Sequence, residues 1–439
     1  MRPDTFQQTS SGHISIGGVP VSTLAEKFGT PLYVLDYDTM VHRMQEYRNA
    51  LAQLQPAGWA CYAGKAFLCR AMVELVAQEG LGLDVVSGGE LYTALQAGFD
   101  PKNILFHGNV KTAAELRFGL EAGVGQFVVD SLDELDRLNR IADEMGRTAP
   151  VLLRLTPGID AHTHDFIRTG QFDSKFGFGI GDGIADEAVR RALAAERIQL
   201  NGFHAHIGSQ ILEGDPFVAN AEALMAFSQR WHQMAGFWPR ILDIGGGLGV
   251  RYTGGEEPPQ LAHILRRIQG LLTEATPPGA AVPKILMEPG RSIVAEAGVT
   301  LYTVEAVKTV VGGKVYVAVD GGMGDNIRPA LYQAQYAASL DGKPESTPPA
   351  AVTVAGRYCE SGDILLSGVP LADPQVGDRL IVWATGAYNY SMASTYNRVP
   401  RPAVVVVRDG EVSRWVERER WEDVTRLDLP LNARKSVNA

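Results

Sequence analysis

Cysteine is scarce in this chain, and the scarcity narrows its chemistry. Among 439 residues only Cys61, Cys69 and Cys359 are cysteines. An odd number at those spacings builds neither a disulfide framework nor a thiolate zinc site, so a reducing compartment is expected and any thiol chemistry is single-thiol chemistry. Positive charge is also in deficit. Lys and Arg total 40 against 50 Asp and Glu, a net charge of -10, and no basic cluster offsets it, which argues against nucleic acid or an anionic membrane as partner. No run approaches the ~20 apolar residues of a membrane helix. The opening Met1-Arg2-Pro3-Asp4 shows no charged-then-apolar signal pattern, and low-complexity tracts are lacking. A globular cytoplasmic protein is the expectation.

What the chain does have is 45% hydrophobic residues, ample for a large core divided over two or three domains. One rhythm runs through its first two thirds. Residues 1 to 30 read as an extended lead-in with a short helix, with Thr23 and Glu26 as its capping box and Gly29 as its stop. A strand at 31–35 follows, then a helix with Asp38 as N-cap and Met40, Met44, Tyr47 and Leu51 on one face. From Trp59-Ala60-Cys61-Tyr62 onward a strand, a capped helix and a glycine stop recur every roughly 20 to 25 residues, the spacing of βα units. The caps are Ser87 with Glu90, Thr112 with Glu115, and Ser131 with Glu134. Further strands fit residues 151–155, 202–206, 241–244 and 285–288, which brings the number to eight.

Eight such units over ~250 residues predict a (β/α)8 TIM-like barrel, an α/β fold whose working groups gather at the C-terminal ends of the strands. Lys65, Asp84, His107, Arg154, His206, Asp243 and Glu288 all fall there. A doubly wound open sheet is the weaker alternative. After Glu288 the pattern turns to β-branched alternation at 299–304, 314–319 and 379–383, with a hairpin across Arg408-Asp409-Gly410-Glu411, so a second, all-β domain (sandwich- or barrel-like) is predicted. The expected organisation is 1–36 as an N-terminal segment contributing to the β domain, 37–290 as the barrel, 291–425 as the β domain and 426–439 as a loose tail. Residues 342–349 read as an exposed connector.

Several stretches carry chemistry. Lys65, in Tyr62-Ala63-Gly64-Lys65-Ala66-Phe67, ends a strand and begins a helix. Alone it reads either as a turn lysine or as an amine buried enough to lose its charge and attack a carbonyl. Gly245-Gly246-Gly247-Leu248-Gly249 either makes a tight turn or lets backbone N–H groups cradle a phosphate. Lacking the lysine-and-hydroxyl ending of a P-loop, it suits a cofactor phosphate better than a nucleoside triphosphate. Glu288-Pro289-Gly290-Arg291 is either a structural ion pair or a carboxylate that keeps a ring nitrogen protonated, with an arginine holding an anion nearby. His204-x-His206 places two imidazoles on one side of a strand. That is half a zinc site in a barrel hydrolase, or else His206 stacks on an aromatic cofactor with Ser209 at its phosphate while His204 fills the core. His162-x-His164 reads as a loop pair, solvated or hydrogen-bonded. Cys359, in Cys359-Glu360-Ser361-Gly362-Asp363, is either buried and inert or a proton-delivering thiol. Arg328, Tyr332 and Tyr388 are cation and phenol donors suited to carboxylate and phosphate.

Together these segments resemble the diaminopimelate decarboxylases, within the fold-type III pyridoxal-phosphate-dependent decarboxylases. The resemblance runs through Tyr62-Ala63-x-Lys65, residues 82–90, Phe106-His107-Gly108-Asn109, Pro157-Gly158-Ile159-Asp160, Ser174-Lys175-Phe176-Gly177, residues 206–210, 243–247, 288–291, 327–332 and Cys359-Glu360-Ser361-x-Asp363. It implies pyridoxal 5'-phosphate as cofactor, held by Lys65 as a Schiff base, with His206 stacked on the ring. Glu288 pairs with the ring nitrogen, and Ser209, Gly245, Gly246, Gly247 and Tyr388 hold the phosphate. It further implies that Arg291, Arg328 and Tyr332 bind the substrate carboxylate at the non-reacting end, that Glu360 takes that end's ammonium, and that Cys359 reaches the partner's site in a homodimer with shared active sites. The implied reaction converts meso-2,6-diaminopimelate into L-lysine and carbon dioxide, the last step of lysine biosynthesis. Decarboxylation of another basic amino acid or of carboxynorspermidine on the same fold is the alternative. From a different class, a metal-dependent hydrolase would use His204 and His206. Three departures from the usual pattern, Arg357 for proline, Asn389 for glycine, and Asp320-Gly321-Gly322-Met323-Gly324 for Asp-Ala-Gly-Met-Asn, fall in loops.

Overall fold

Eight apolar runs, each ending in polar residues, pair side by side as parallel strands. A computed structural model describes residues 1–159, 175–344 and 348–431, and in it the strands are β1 (Trp59–Ala63), β2 (Gly82–Val85), β3 (Ile104–Phe106), β4 (Gln126–Val129), β5 (Ala149–Thr156), β6 (Ile198–His204), β7 (Ile241–Asp243) and β8 (Lys284–Met287). Each pairs with the next, and β8 returns to β1 through Met287 opposite Ala60. The sheet closes into the predicted barrel. Its strands are covered on both faces, so they run almost continuously apolar: Leu83, Val85, Phe106, Val151, Leu152 and Leu153 are all fully buried.

Helices return the chain between strands. Helix Arg70–Gln78 buries Met72, Val73, Leu75 and Val76, and Thr112 and Glu115 close a complete capping box on helix Ala113–Ala122. Two expected caps are corrected. The helix at Tyr37–Ala52 is capped by Asp36, which accepts from the Thr39 N–H, while Asp38 is already inside the first turn. Asp36 ends a strand in extended conformation and is itself buried, so its carboxylate meets the orphan N–H groups first. Helix Val21–Phe28 begins ahead of Thr23, after Pro20, without a side-chain cap. Its start is set by the buried Val21, Leu24 and Ala25.

The described residues divide into two compact units. The first comprises Met1–Asp4, Asp36–Gly298 and Ala384–Ser391; the second comprises Thr5–Leu35, Val299–Trp383 and Met392 onward. Ala384–Ser391, which sequence pattern groups with the β domain, thus belongs to the barrel unit. The second unit is rich in β-structure. Its large sheet runs Ile364–Leu371, Ala350–Ala355, Val315–Val319, Gly298–Thr309, Leu32–Asp36, Ala403–Arg408, Glu411–Val416, with Arg379–Val382 and Ala338–Leu340 beside it. Asp409 and Gly410 take φ of 50° and 80° to turn the predicted hairpin. A small sheet, Gln7–Gln8, Ile14–Ile16 and Val19–Pro20, lies in the stretch expected to be an extended lead-in. Strands of two or three residues are too short to show a period. Asp160, His162, His164, Ser174, residues 345–347 of the connector and residues 432–439 of the tail lie outside the described residues. No described helix is long and apolar enough to cross a membrane.

Candidate active site

The turn that carries Lys65 is held from three directions. After β1 the chain makes a single 3-10 turn, Gly64–Ala66. The Tyr62 hydroxyl donates to the Phe67 carbonyl at 2.8 Å, the Ala63 N–H donates to Pro289 O at 2.9 Å, and the Tyr388 N–H donates to Ala66 O at 2.8 Å. Gly64 and Ala66 are buried while Lys65 is exposed. That corrects the sequence argument: the amine is presented by a rigid turn, not sunk among apolar groups.

Across the mouth, Glu288 follows β8 and is only 7% exposed. His107 Nε2 contacts its Oε1, and His204 Nε2 lies 3.3 Å from its Oε2. The two rings meet edge to face, centroids 4.8 Å apart. Burial acts to raise the Glu288 carboxyl, but the two histidines outweigh it and hold the group well below the usual carboxylate range. Burial in turn pushes His107 down to about 4 and lowers His204, against the pull of Glu288 on both. Asp84, at the end of β2, and Asp243, at the end of β7, behave oppositely: burial first, then the charge on Glu288, pushes each well up.

His204 and His206 do not work as a pair. β6 ends at His204, and His206, one step into the loop, accepts the Gly246 N–H on Nδ1 at 3.3 Å. Burial, followed by the charges of Lys65 and Arg154, holds His206 well below its ordinary value. The ring is therefore neutral and fixed against the glycine turn. Among the described residues, the group able to surround a metal ion is His107, His204, Asp243 and Glu288, with ligand atoms within 4.8 Å of one another; His206 is not in it.

The glycine turn is demanded by its surroundings. A Cβ on Gly246 would lie 2.1 Å from the Glu288 carbonyl oxygen and one on Gly247 2.2 Å from that of Gly208, while Gly245 and Gly247 adopt φ of 69° and 103°. Beside it, the Ser209 hydroxyl accepts from Arg291 Nη2 at 2.8 Å and Nε at 3.3 Å. The buried Arg291 also donates to the Tyr252 hydroxyl, and its guanidinium lies 4.8 Å from the centre of the Tyr388 ring. Serine, arginine and phenol groups are thereby collected beside the glycine turn, a donor set for a dianion. Tyr252 went unmarked in the sequence, where no motif distinguishes it. Arg154 and Asp130, 3.6 Å apart, complete the ring of charge, with Asp130 accepting the Gly177 N–H.

Four expected site residues belong to the second unit. Arg328 is buried and donates to the Tyr336 hydroxyl, and Tyr332, four residues on, is half-buried. Cys359 and Glu360 are both exposed, which removes the reading of Cys359 as a buried, inert thiol. The loop that carries them is anchored by Asp363, which accepts the N–H groups of Tyr358 at 2.7 Å and Met323 at 2.6 Å.

A parallel barrel with a lysine, a buried carboxylate and a glycine cradle at the C-terminal ends of its strands is the architecture of a pyridoxal-dependent decarboxylase. Residues 37–295 match the family described as pyridoxal-dependent decarboxylase, pyridoxal binding domain. Diaminopimelate decarboxylase of Bacillus subtilis is 48% identical over 97% of both chains, and that of Mycobacterium tuberculosis 41% identical over 97% of both. The crystal structure of the M. jannaschii diaminopimelate decarboxylase in complex with L-lysine superposes with a TM-score of 0.91 at 35% identity, covering 98% of this chain and 99% of that one. The chain belongs to the diaminopimelate decarboxylase family.

The residues present fit the family's cofactor. Glycine keeps the cradle clear of any Cβ, its Gly245 and Gly246 N–H groups being held by Asp243 Oδ1 and His206 Nδ1. The buried oxygens Asp84 Oδ1 and Asp243 Oδ2 have no hydrogen-bond partner, as expected of a polar site shaped for a bound group.

Proposed function

We propose that the chain decarboxylates meso-2,6-diaminopimelate at its D-configured centre to give L-lysine and carbon dioxide. The observation that carries this reading is the convergence of Lys65, His206, Glu288 and the glycine turn on one barrel mouth, in a chain nearly half identical over its length to a diaminopimelate decarboxylase. When bound, pyridoxal phosphate supplies the conjugated ring that accepts the electron pair left by the departing carboxylate.

Lys65 offers the amine that anchors the cofactor, and its rigid turn aims that amine. Glu288, kept anionic, holds a proton at the ring nitrogen. His206, neutral and pinned by Gly246, presents its flat face to the ring. Gly245, Gly246, Gly247, Ser209 and Tyr388 bind the phosphate. Arg291, Arg328 and Tyr332 bind the substrate carboxylate at the non-reacting end, with Glu360 taking the neighbouring ammonium. Cys359 or Lys65 returns a proton to the carbon that loses the carboxylate. The exposure of Cys359 and Glu360 agrees with a homodimer whose partner completes each site, and the net charge of -10 suits a cytoplasmic enzyme.

Release of carbon dioxide and lysine from diaminopimelate tests the reaction directly, and a panel including ornithine, lysine, arginine and carboxynorspermidine tests the substrate. Borohydride is expected to fix cofactor onto Lys65, and Lys65→Ala to abolish both fixation and turnover. Glu360→Ala is expected to lose diaminopimelate turnover while keeping cofactor; undiminished turnover would refute the substrate assignment.

A further inference from the structure

Three carboxyl groups are buried around one point of the barrel mouth: Asp84 is 3% exposed, Asp243 0% and Glu288 7%. Burial, and then the charge on Glu288, push the carboxyls of Asp84 and Asp243 up, so the negative charge settles on Glu288. Cations do not make the choice. Lys65 and Arg154 act on Asp84, whose carboxyl is nevertheless driven up, and neither makes an ion pair with any of the three. Contact makes it instead. His204 Nε2 hydrogen-bonds Glu288 Oε2 at 3.3 Å, and His107 Nε2 lies against Oε1 as a close contact outside hydrogen-bond geometry. Asp84 has only a distant approach, 3.9 Å from His107 Nε2, and Asp243 accepts from the Gly245 N–H at 2.9 Å. The histidines are themselves 4% and 1% exposed and packed edge to face, so they cannot swing away from the carboxylate. The other charged or titratable groups facing the cluster among the described residues are Cys61 on β1 and Lys65 after it, Glu90 after β2, Asp130 after β4, Arg154 on β5 and His206 after β6.

We propose that His107 and His204 are positioning residues: set through Nε2 against opposite oxygens of Glu288, with His204 donating to Oε2, they localise the cluster's negative charge on that carboxylate and lock its plane. The proposal rests on the reading of Glu288 as the ring nitrogen's partner. It follows that Asp243 is a neutral carboxyl group and that its charge is dispensable.

The test is made on the cofactor-loaded enzyme with 15N in the pyridoxal ring, read by 15N NMR across pH 6 to 9. The wild type is expected to show a protonated ring nitrogen throughout. His204→Leu and His107→Leu are expected to shift the resonance toward the unprotonated value, with kcat falling about 10- to 100-fold, the scale of lost outer-layer ligand support. His204→Gln, which keeps an N–H donor, is expected to restore most of both, and Asp243→Asn to leave the ring protonated. If a leucine variant fails to fold, the glutamine variant is compared with His204→Ala. A ring nitrogen that stays protonated in both leucine variants, or one lost equally in His204→Gln, overturns the proposal. An unprotonated nitrogen in the wild type instead overturns the reading of Glu288 on which it stands.

Discussion

Lys111→Met should be among the most destabilising substitutions in the barrel that leave every cofactor-facing group in place. The Lys111 side chain is 1% exposed and Glu134 3%, with Nζ and Oε1 2.8 Å apart. Nζ also donates to the carbonyls of Gly108 at 2.9 Å and Val128 at 2.8 Å, so the buried ammonium is held by two hydrogen bonds and one ion pair. The lysine thereby ties the segment after β3 to β4 and fixes the strand end that carries His107. Methionine keeps the apolar stem and nearly the volume, so little is lost in packing. What remains is a buried carboxylate without its cation, a loss of about 3–5 kcal/mol. At ~2 °C per kcal/mol for a unit of this size, Tm should fall by about 6–10 °C.

The deficit should depend on pH in a definite direction. Burial raises the Glu134 carboxyl and Lys111 pulls it back; without the lysine it rises further. A carboxyl whose pKa is higher folded than unfolded favours the fold at low pH and loses that advantage as pH rises through the folded value. The loss in Tm should therefore be smallest near pH ~5 and largest near pH ~8. Lys111→Met combined with Glu134→Leu should recover most of the loss, because an apolar pair leaves no charge behind. Scanning calorimetry of both variants across that range decides it. A single variant within ~2 °C of wild type, or a double variant no better than the single one, refutes the reasoning.

Gly246→Ala drives a Cβ to 2.1 Å from the Glu288 carbonyl oxygen and should weaken pyridoxal phosphate binding about tenfold or more, measured by fluorescence titration of cofactor-free protein. In the second unit, Gly324 faces the Tyr358 hydroxyl at 2.2 Å from a would-be Cβ, and Gly321 faces Tyr302 at 2.3 Å. Gly324→Asn, the residue usual in the family pattern, should thus cost about 1–3 kcal/mol here, seen as a lower Tm that Tyr358→Ala relieves. Burial pushes Asp325 up to about 7, so this group costs the folded state progressively more as pH rises from about 4 to about 7. Asp325→Asn should flatten the pH dependence of Tm over that interval, and an unchanged profile would rule Asp325 out as its source.

Sequence and structure agree most closely where one element reports on itself. The eight barrel strands were readable because a strand buried on both faces is almost continuously apolar and reaches polar residues at its end, as at Asp243 and Glu288. The Thr112 and Glu115 capping box was readable because both partners lie within one turn. Reading failed where the deciding contact comes from elsewhere. Asp36 caps its helix in place of Asp38 because the preceding strand delivers it, and Ala384–Ser391 joins the barrel unit through hydrogen bonds to Gly298, Ala295 and Ala66. The His204-x-His206 spacing left a paired reading open beside one of separate roles, and the choice came from the fold, where the strand ends between them and sends the two rings to different partners.

By itself the sequence determined the barrel, the family, and which chemical groups stand at its mouth, because these depend on local pattern and on motifs of fixed spacing. Which of those groups bears charge was decided only by tertiary structure. Asp84, Asp243 and Glu288 read alike as acidic strand ends. Folding buries all three and then sets imidazoles against both oxygens of Glu288, and the energy of a buried charge depends on the atoms that touch it.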